Sequence, residues 1–173
     1  MRIAIVIVFA ANLLHPVLSF AQQRARFTPS DKAAIDRLLD EYGQAFVTKD
    51  YAKLQQTLQA PFVRFGLSVT GNETGEGDWV TLHTLNDVMT WFRTNRDALD
   101  KQDFLAARSQ FLDSRLTILT ADRVLVNRTF RRNRKDGTIL LEAGAIYAVS
   151  KSSGTWKICG LFAQDFENFG KVY

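Results

Sequence analysis

Ile35, Leu38, Leu39, Tyr42 and Phe46 recur every three or four residues, the spacing that lays one apolar stripe along an α-helix. Thr28-Pro29-Ser30-Asp31 stands just before the stripe and reads as a helix start. It offers a capping hydroxyl, a proline suited to the first helical position, and an acid three residues after the cap. A second, shorter helix is predicted from Asp50, carrying Ala52, Leu54 and Leu58 and stopping at Pro61. Residues 62–67 read as a strand and 79–82 as a further extended run. Between them, residues 70–78 hold three glycines and three acids, the composition of a loop that is either a lid or a plain exposed hairpin. A third helix is expected from Thr84, with Asp87 in the capping-box position and Val88, Trp91, Phe92 and Leu99 on its buried face.

From Phe111 onward the apolar period changes to two, predicting strands over 111–119, 123–133, 138–150 and 155–165. Thr120-Ala121-Asp122, Lys135-Asp136-Gly137 and Ser152-Ser153-Gly154 supply the turns. Helices first and an antiparallel meander after them make an α+β pattern, with three N-terminal helices packed on a curved sheet. Nothing repeats and no linker interrupts residues 28–173, so one domain is expected after a polar lead-in over 22–27.

The first 21 residues read differently. Arg2 precedes an apolar run from Ile3 to Leu14, Pro16 breaks it, and Ser19-Phe20-Ala21 has the small-x-small form of a cleavage site. The run is too short to span a bilayer, which takes roughly 20 apolar residues. The expectation is therefore an exported protein, periplasmic or secreted, cleaved near Ala21 and carrying no integral membrane segment afterwards. Losing Arg2 would leave 21 bases against 18 acids, a mild excess. Cys159 is the one cysteine, which excludes a disulfide scaffold, and its apolar strand context suits a buried thiol. Only His83 would remain of two histidines, and no HExxH or CxxC spacing occurs, so neither a metal site nor a cofactor is expected. Thirteen phenylalanines favour a ring-rich core or cavity.

Three helices, a strand pair set between them and a long meander ending in an aromatic-rich strand resemble the nuclear transport factor 2-like superfamily. The markers are the EYGQAFVTKDYAKL helix pair, VMTWF, the KDG hairpin and the closing WKICGLFAQD, within residues 28–166. The resemblance implies a cone-shaped α+β fold with an interior pocket. It spans ketosteroid isomerases, scytalone dehydratases, polyketide cyclases and non-catalytic association domains, so it implies no single activity. Scytalone dehydratase chemistry would want two histidines. Ketosteroid isomerase chemistry would want a carboxylate base with hydroxyl and carboxylic acid donors; Tyr42, Glu142, Tyr147 and Asp165 are the right types without a motif that assigns those roles.

Among single residues Arg128 is the most informative, because it alternates with Val124, Val126 and Phe130 on an apolar face. A guanidinium there must be paired, either with a ligand's anion or internally with Glu142. A two-residue Asp136-Gly137 turn would set Arg131 opposite Glu142 and Arg128 opposite Ala145; a three-residue loop with a glycine bulge would set Arg128 opposite Gly144. Asp165, Tyr147 and His83 are the catalytic candidates: Asp165 as a base at a pocket mouth or a solvated strand end, His83 as an entrance acid/base or an ordinary surface histidine. Tyr42, Phe46, Phe65, Trp79, Arg128 and Tyr147 are the candidate ligand-binding residues, with Trp91 and Phe111 as further rings for core or cavity. The basic run from Arg131 to Lys135 lacks interleaved aromatics, which argues for a solvated hairpin tip over nucleic-acid binding.

The reading that results is an exported domain that binds a small apolar or acidic molecule. Its alternatives are a cofactor-free acid/base enzyme of isomerase or dehydratase type, and an association domain that homodimerises through the sheet, with Ile146, Leu140 and Ala148 supplying apolar surface.

Overall fold

The computed structural model describes residues 26–65, 79–101 and 104–165. The leader read over residues 1–21 and the loop read over 70–78 lie outside the described residues. Helix α1 runs Pro29–Thr48. Its start is a reciprocal capping box: Asp31 N donates to Thr28 Oγ1 at 3.2 Å, and Thr28 N donates to Asp31 Oδ2 at 3.0 Å. The same Asp31 accepts from Lys151 Nζ at 2.8 Å and Trp156 Nε1 at 3.1 Å, so the cap also fastens the helix to the sheet. Lys49 ends α1 in the left-handed region at φ 60°, and Asp50 caps α2, Tyr51–Thr57, by accepting from Lys53 N. Helix α3 covers Leu85–Lys101 behind a second capping box made by Thr84 and Asp87.

The strands are β1 Leu58–Phe65, β2 Val80–Leu82, β3 Phe104–Thr120, β4 Arg123–Arg134, β5 Ile139–Ser152 and β6 Thr155–Asp165. They form one sheet in the order β2-β1-β6-β5-β4-β3. Leu58 belongs to β1, not to α2, and Pro61 lies inside that strand after a cis peptide bond. A proline is tolerated there because β1 pairs with β6 at Leu58 and again from Val63, and with β2 from Phe62, so Pro61 falls between the ladders. The sheet is also mixed, since β1 runs parallel to β6 beside the expected antiparallel meander. β3 begins at Phe104, earlier than the period suggests, because register shifts near Gln110 and Phe111 interrupt the alternation.

The β4–β5 hairpin has the three-residue loop of one expectation and the strand register of the other. At the tip, Arg134 N donates to Thr138 O, and Gly137, at φ 91°, closes a three-residue loop. A bulge between Arg132 and Asn133 then inserts Leu140 on β5, so that Arg131 faces Glu142 and Arg128 faces Ala145. The helices cover one face of the sheet. Ile35, Leu39, Phe62, Phe92, Val126 and Ile158 are essentially inaccessible between them, each side chain contributing about 1.5–3 kcal/mol on burial.

Candidate functional site

The second half of α1 and the adjoining stretches of β4 and β5 enclose a cavity of about 250 Å³. Asp40, Tyr42 and Phe46 reach it from α1, Phe130 and Arg132 from β4, and Tyr147 from β5. Helical spacing brings Tyr42 and Phe46 to one side, and strand alternation repeats the inward face through Val126, Arg128, Phe130 and Arg132. Aromatic packing holds the wall: the Tyr42 ring lies 5.5 Å from Tyr147 and 5.8 Å from Phe92, both edge-to-face.

Tyr42 and Tyr147 sit side by side in the cavity wall, and each acts on the other's ionisation. Burial pushes both phenols upward, Tyr147 to about 12 and Tyr42 well above its ordinary value. Beside them the Arg132 guanidinium sits over two rings, 5.1 Å from the Phe46 centroid and 4.9 Å from that of Phe130. Burial lowers its pKa, the two tyrosines raise it and Arg96 lowers it, and an arginine stays charged throughout the physiological range.

Arg128 is 5% exposed, and its Nη1 donates to Asp40 Oδ1 at 2.9 Å. Its carboxylate partner is therefore Asp40, while Glu142 accepts from Arg131 Nε at 2.7 Å. The reason is the register: beyond the bulge Arg131 and Glu142 are direct neighbours, and Arg128 points toward α1. Of the residues singled out from the sequence, Tyr42, Phe46 and Tyr147 line the cavity, and Arg128 stands beside Tyr147. Phe65 and Trp79 lie elsewhere, with ring centroids 4.8 Å apart on the opposite sheet face, where Trp79 is 66% exposed and meets Phe162. His83 is exposed just before α3. Asp165 ends β6 with its backbone opposite Ala143, and its side chain, like that of Phe111, lies outside the described residues. Trp91 is half-buried against Phe62 and Phe92.

Asp40, Phe130 and Arg132 are cavity residues that the sequence reading passed over. Arg132 was assigned to a solvated basic tip, although it continues the inward alternation from Val126. Among the described residues no group of three or more His, Cys, Asp or Glu could hold a metal, and no helix is long and apolar enough to cross a membrane.

Against this geometry the sequence comparison is decisive for family. Residues 31–166 match the family described as NTF2-like protein (DUF6841). The chain belongs to that NTF2-like family. A search of curated proteins finds no match. Solved structures share the NTF2-like fold at low identity. A Nostoc punctiforme protein of unknown function with a cystatin-like fold is 16% identical with a TM-score of 0.61, covering 80% of this chain and 92% of its own. An NTF-2 like protein of unknown function from Shewanella oneidensis is 15% identical with a TM-score of 0.58, covering 78% and 98%. A Shewanella frigidimarina protein bearing the provisional name ketosteroid isomerase is 16% identical with a TM-score of 0.57, covering 80% and 99%. At such identity the likeness carries the fold and leaves activity open.

Proposed function

We propose that this NTF2-like protein is an exported small-molecule-binding protein whose ligand occupies the cavity between α1, β4 and β5. The carrying observation is that cavity: ring walls of Tyr42, Phe46, Phe130 and Tyr147 around a few polar groups, the composition of a preformed ligand site. Export rests on the leader composition of residues 1–21. Binding is favoured over acid/base catalysis by the two phenols that line the cavity among the described residues. Both tyrosines hold their protons far above pH 7, and Asp40 is engaged with Arg128.

Native mass spectrometry of the protein purified without denaturation tests this reading, with Val47→Trp as a variant that fills the cavity wall. A small molecule retained by the wild type and lost from Val47→Trp is the expected result. A protein that emerges empty and gains no thermal stability from a library of small organic compounds would overturn it.

A second reading, self-association through the sheet, is favoured by one observation. Phe65, Trp79 and Phe162 form an aromatic cluster on the sheet face away from the helices. One of the similar folds, from Xanthomonas campestris, carries a provisional title as a kinase association domain.

A further inference from the structure

We infer that Arg96, on α3 and outside the cavity, is the positioning residue that sets how large a body the cavity admits. This rests on the reading of the cavity as a binding site and adds what fixes its size limit.

The helix wall of the cavity is made by a turn that α1 does not close by itself. Phe46 and Val47 line the cavity, and both belong to the last turn of α1, which ends at Thr48. A helix leaves its last four carbonyls without partners inside the helix. Lys49, the left-handed cap, and Asp50 both return their N–H groups to Ala45 O, so that cap serves neither Phe46 nor Val47. The last turn of α1 has no basic side chain of its own to bond them.

Arg96 supplies the donors from a different element. It is 4% exposed, and its Nε donates to Phe46 O and its Nη2 to Val47 O, each at 3.3 Å. One planar fork thus holds two successive carbonyls of the cavity wall, a geometry that a lysine does not copy. The positive group also stands at the negative end of the α1 dipole. Its Nη1 pairs with Asp100 one turn along α3, and Asp100 pairs in turn with Lys49, just past the end of α1. The Phe46 ring is held from the same side, because Phe92 of α3 meets it edge-to-face at 6.1 Å. Backbone and ring of this wall are both fixed by α3.

Size is therefore the property that Arg96 controls. The cavity of about 250 Å³ equals the liquid volume of about eight waters, room for one ring with a short tail. Without the fork, two carbonyls of the last turn lose their donor, the turn loosens and the wall yields outward.

Phenylacetamide and 1-naphthylacetamide carry the same uncharged tail and differ by one fused ring, and titration calorimetry of each into the protein tests the inference. The wild type should bind phenylacetamide at least tenfold tighter than the naphthyl compound. Arg96→Met keeps an apolar stem, leaves Asp100 paired with Lys49 and removes the fork; it should narrow that preference at least tenfold. Arg96→Lys, which keeps the charge and loses the fork, should fall between, and it carries the test if Arg96→Met does not fold. A variant that is merely less stable weakens both compounds by one factor, the fraction of protein competent to bind, so the ratio moves only when the wall moves. Lys53→Gln, an exposed change on α2, should leave the ratio unchanged. A ratio that survives both Arg96 variants, or a wild type that takes the two compounds equally, overturns the inference while the binding reading stands. A wild type that binds neither compound overturns both.

Discussion

Asp31 shows how much one carboxylate does in this molecule. It closes the α1 capping box with Thr28 and receives Lys151 from β5 and Trp156 from β6, so losing it loosens both a helix end and a helix–sheet junction. The Lys151 and Thr28 hydrogen bonds outweigh the opposing effect of burial and hold its carboxyl well below the ordinary range. The folded state therefore releases this proton more readily than the unfolded chain, whose aspartates titrate near about 4. The stabilisation is complete above that pH and fades as the pH falls through the depressed folded value. Asp31→Asn should unfold at lower urea concentration than the wild type at pH 7, and the gap should narrow at pH 3. An equal gap at both values would mean that ionisation of Asp31 contributes nothing. Asp31 was legible as a cap, but its contact with Trp156 joins residues 125 positions apart and no local pattern announces it.

At the scale of elements, the tyrosine pair is the counterpart of Asp31 at the other end of α1: Tyr42 on the helix meets Tyr147 on β5 in a water-poor wall. Here the linkage runs the opposite way. Unfolded tyrosines ionise near about 10, whereas burial holds Tyr147 protonated to about 12 and raises Tyr42 well above its ordinary value. The unfolded chain loses these protons first, so stability is intact below about pH 10 and declines above it. Each such phenol removes about 1.4 kcal/mol per pH unit in that window. Tyr147→Phe leaves one of the two, and its plot of unfolding free energy against pH between 10 and 12 should fall about half as steeply as that of the wild type. A slope unchanged by the substitution would show that Tyr147 ionises alike in both states. The elements themselves were legible where period and cap agreed, as for α1 and α3. They were misread where a local rule met a tertiary exception: Pro61 as a helix stop inside what is a strand, and Gln110–Asp113 where bulges blur the alternation of β3.

For the whole molecule, the α+β architecture was readable because helical and strand periods occupy separate halves of the chain. The parallel β1–β6 pairing was not, since it depends on where two helices return the chain to the sheet. The cavity was readable only in part. Tyr42, Phe46 and Tyr147 stood out as rings, while Arg132 was hidden by the basic residues that follow it. The same alternation that turns Tyr147 and Leu161 toward the helices turns Val63, Phe65, Ile146, Ala148 and Phe162 to the other face, where Trp79 joins them largely exposed. Apolar surface gathered across three neighbouring strands, with aromatic rings at its centre, has the make-up of an interface core. A second copy meeting it about a two-fold axis would bury the same rings on both sides. Sedimentation equilibrium should therefore return a dimer mass, and Trp79→Ser together with Phe162→Ser should shift the equilibrium at least tenfold toward monomer. The Asp31 and Tyr147 pH responses should persist in that double variant, because both junctions lie on the helix side of the sheet. A wild type that sediments as a monomer at high micromolar concentration would remove self-association as an account of this face.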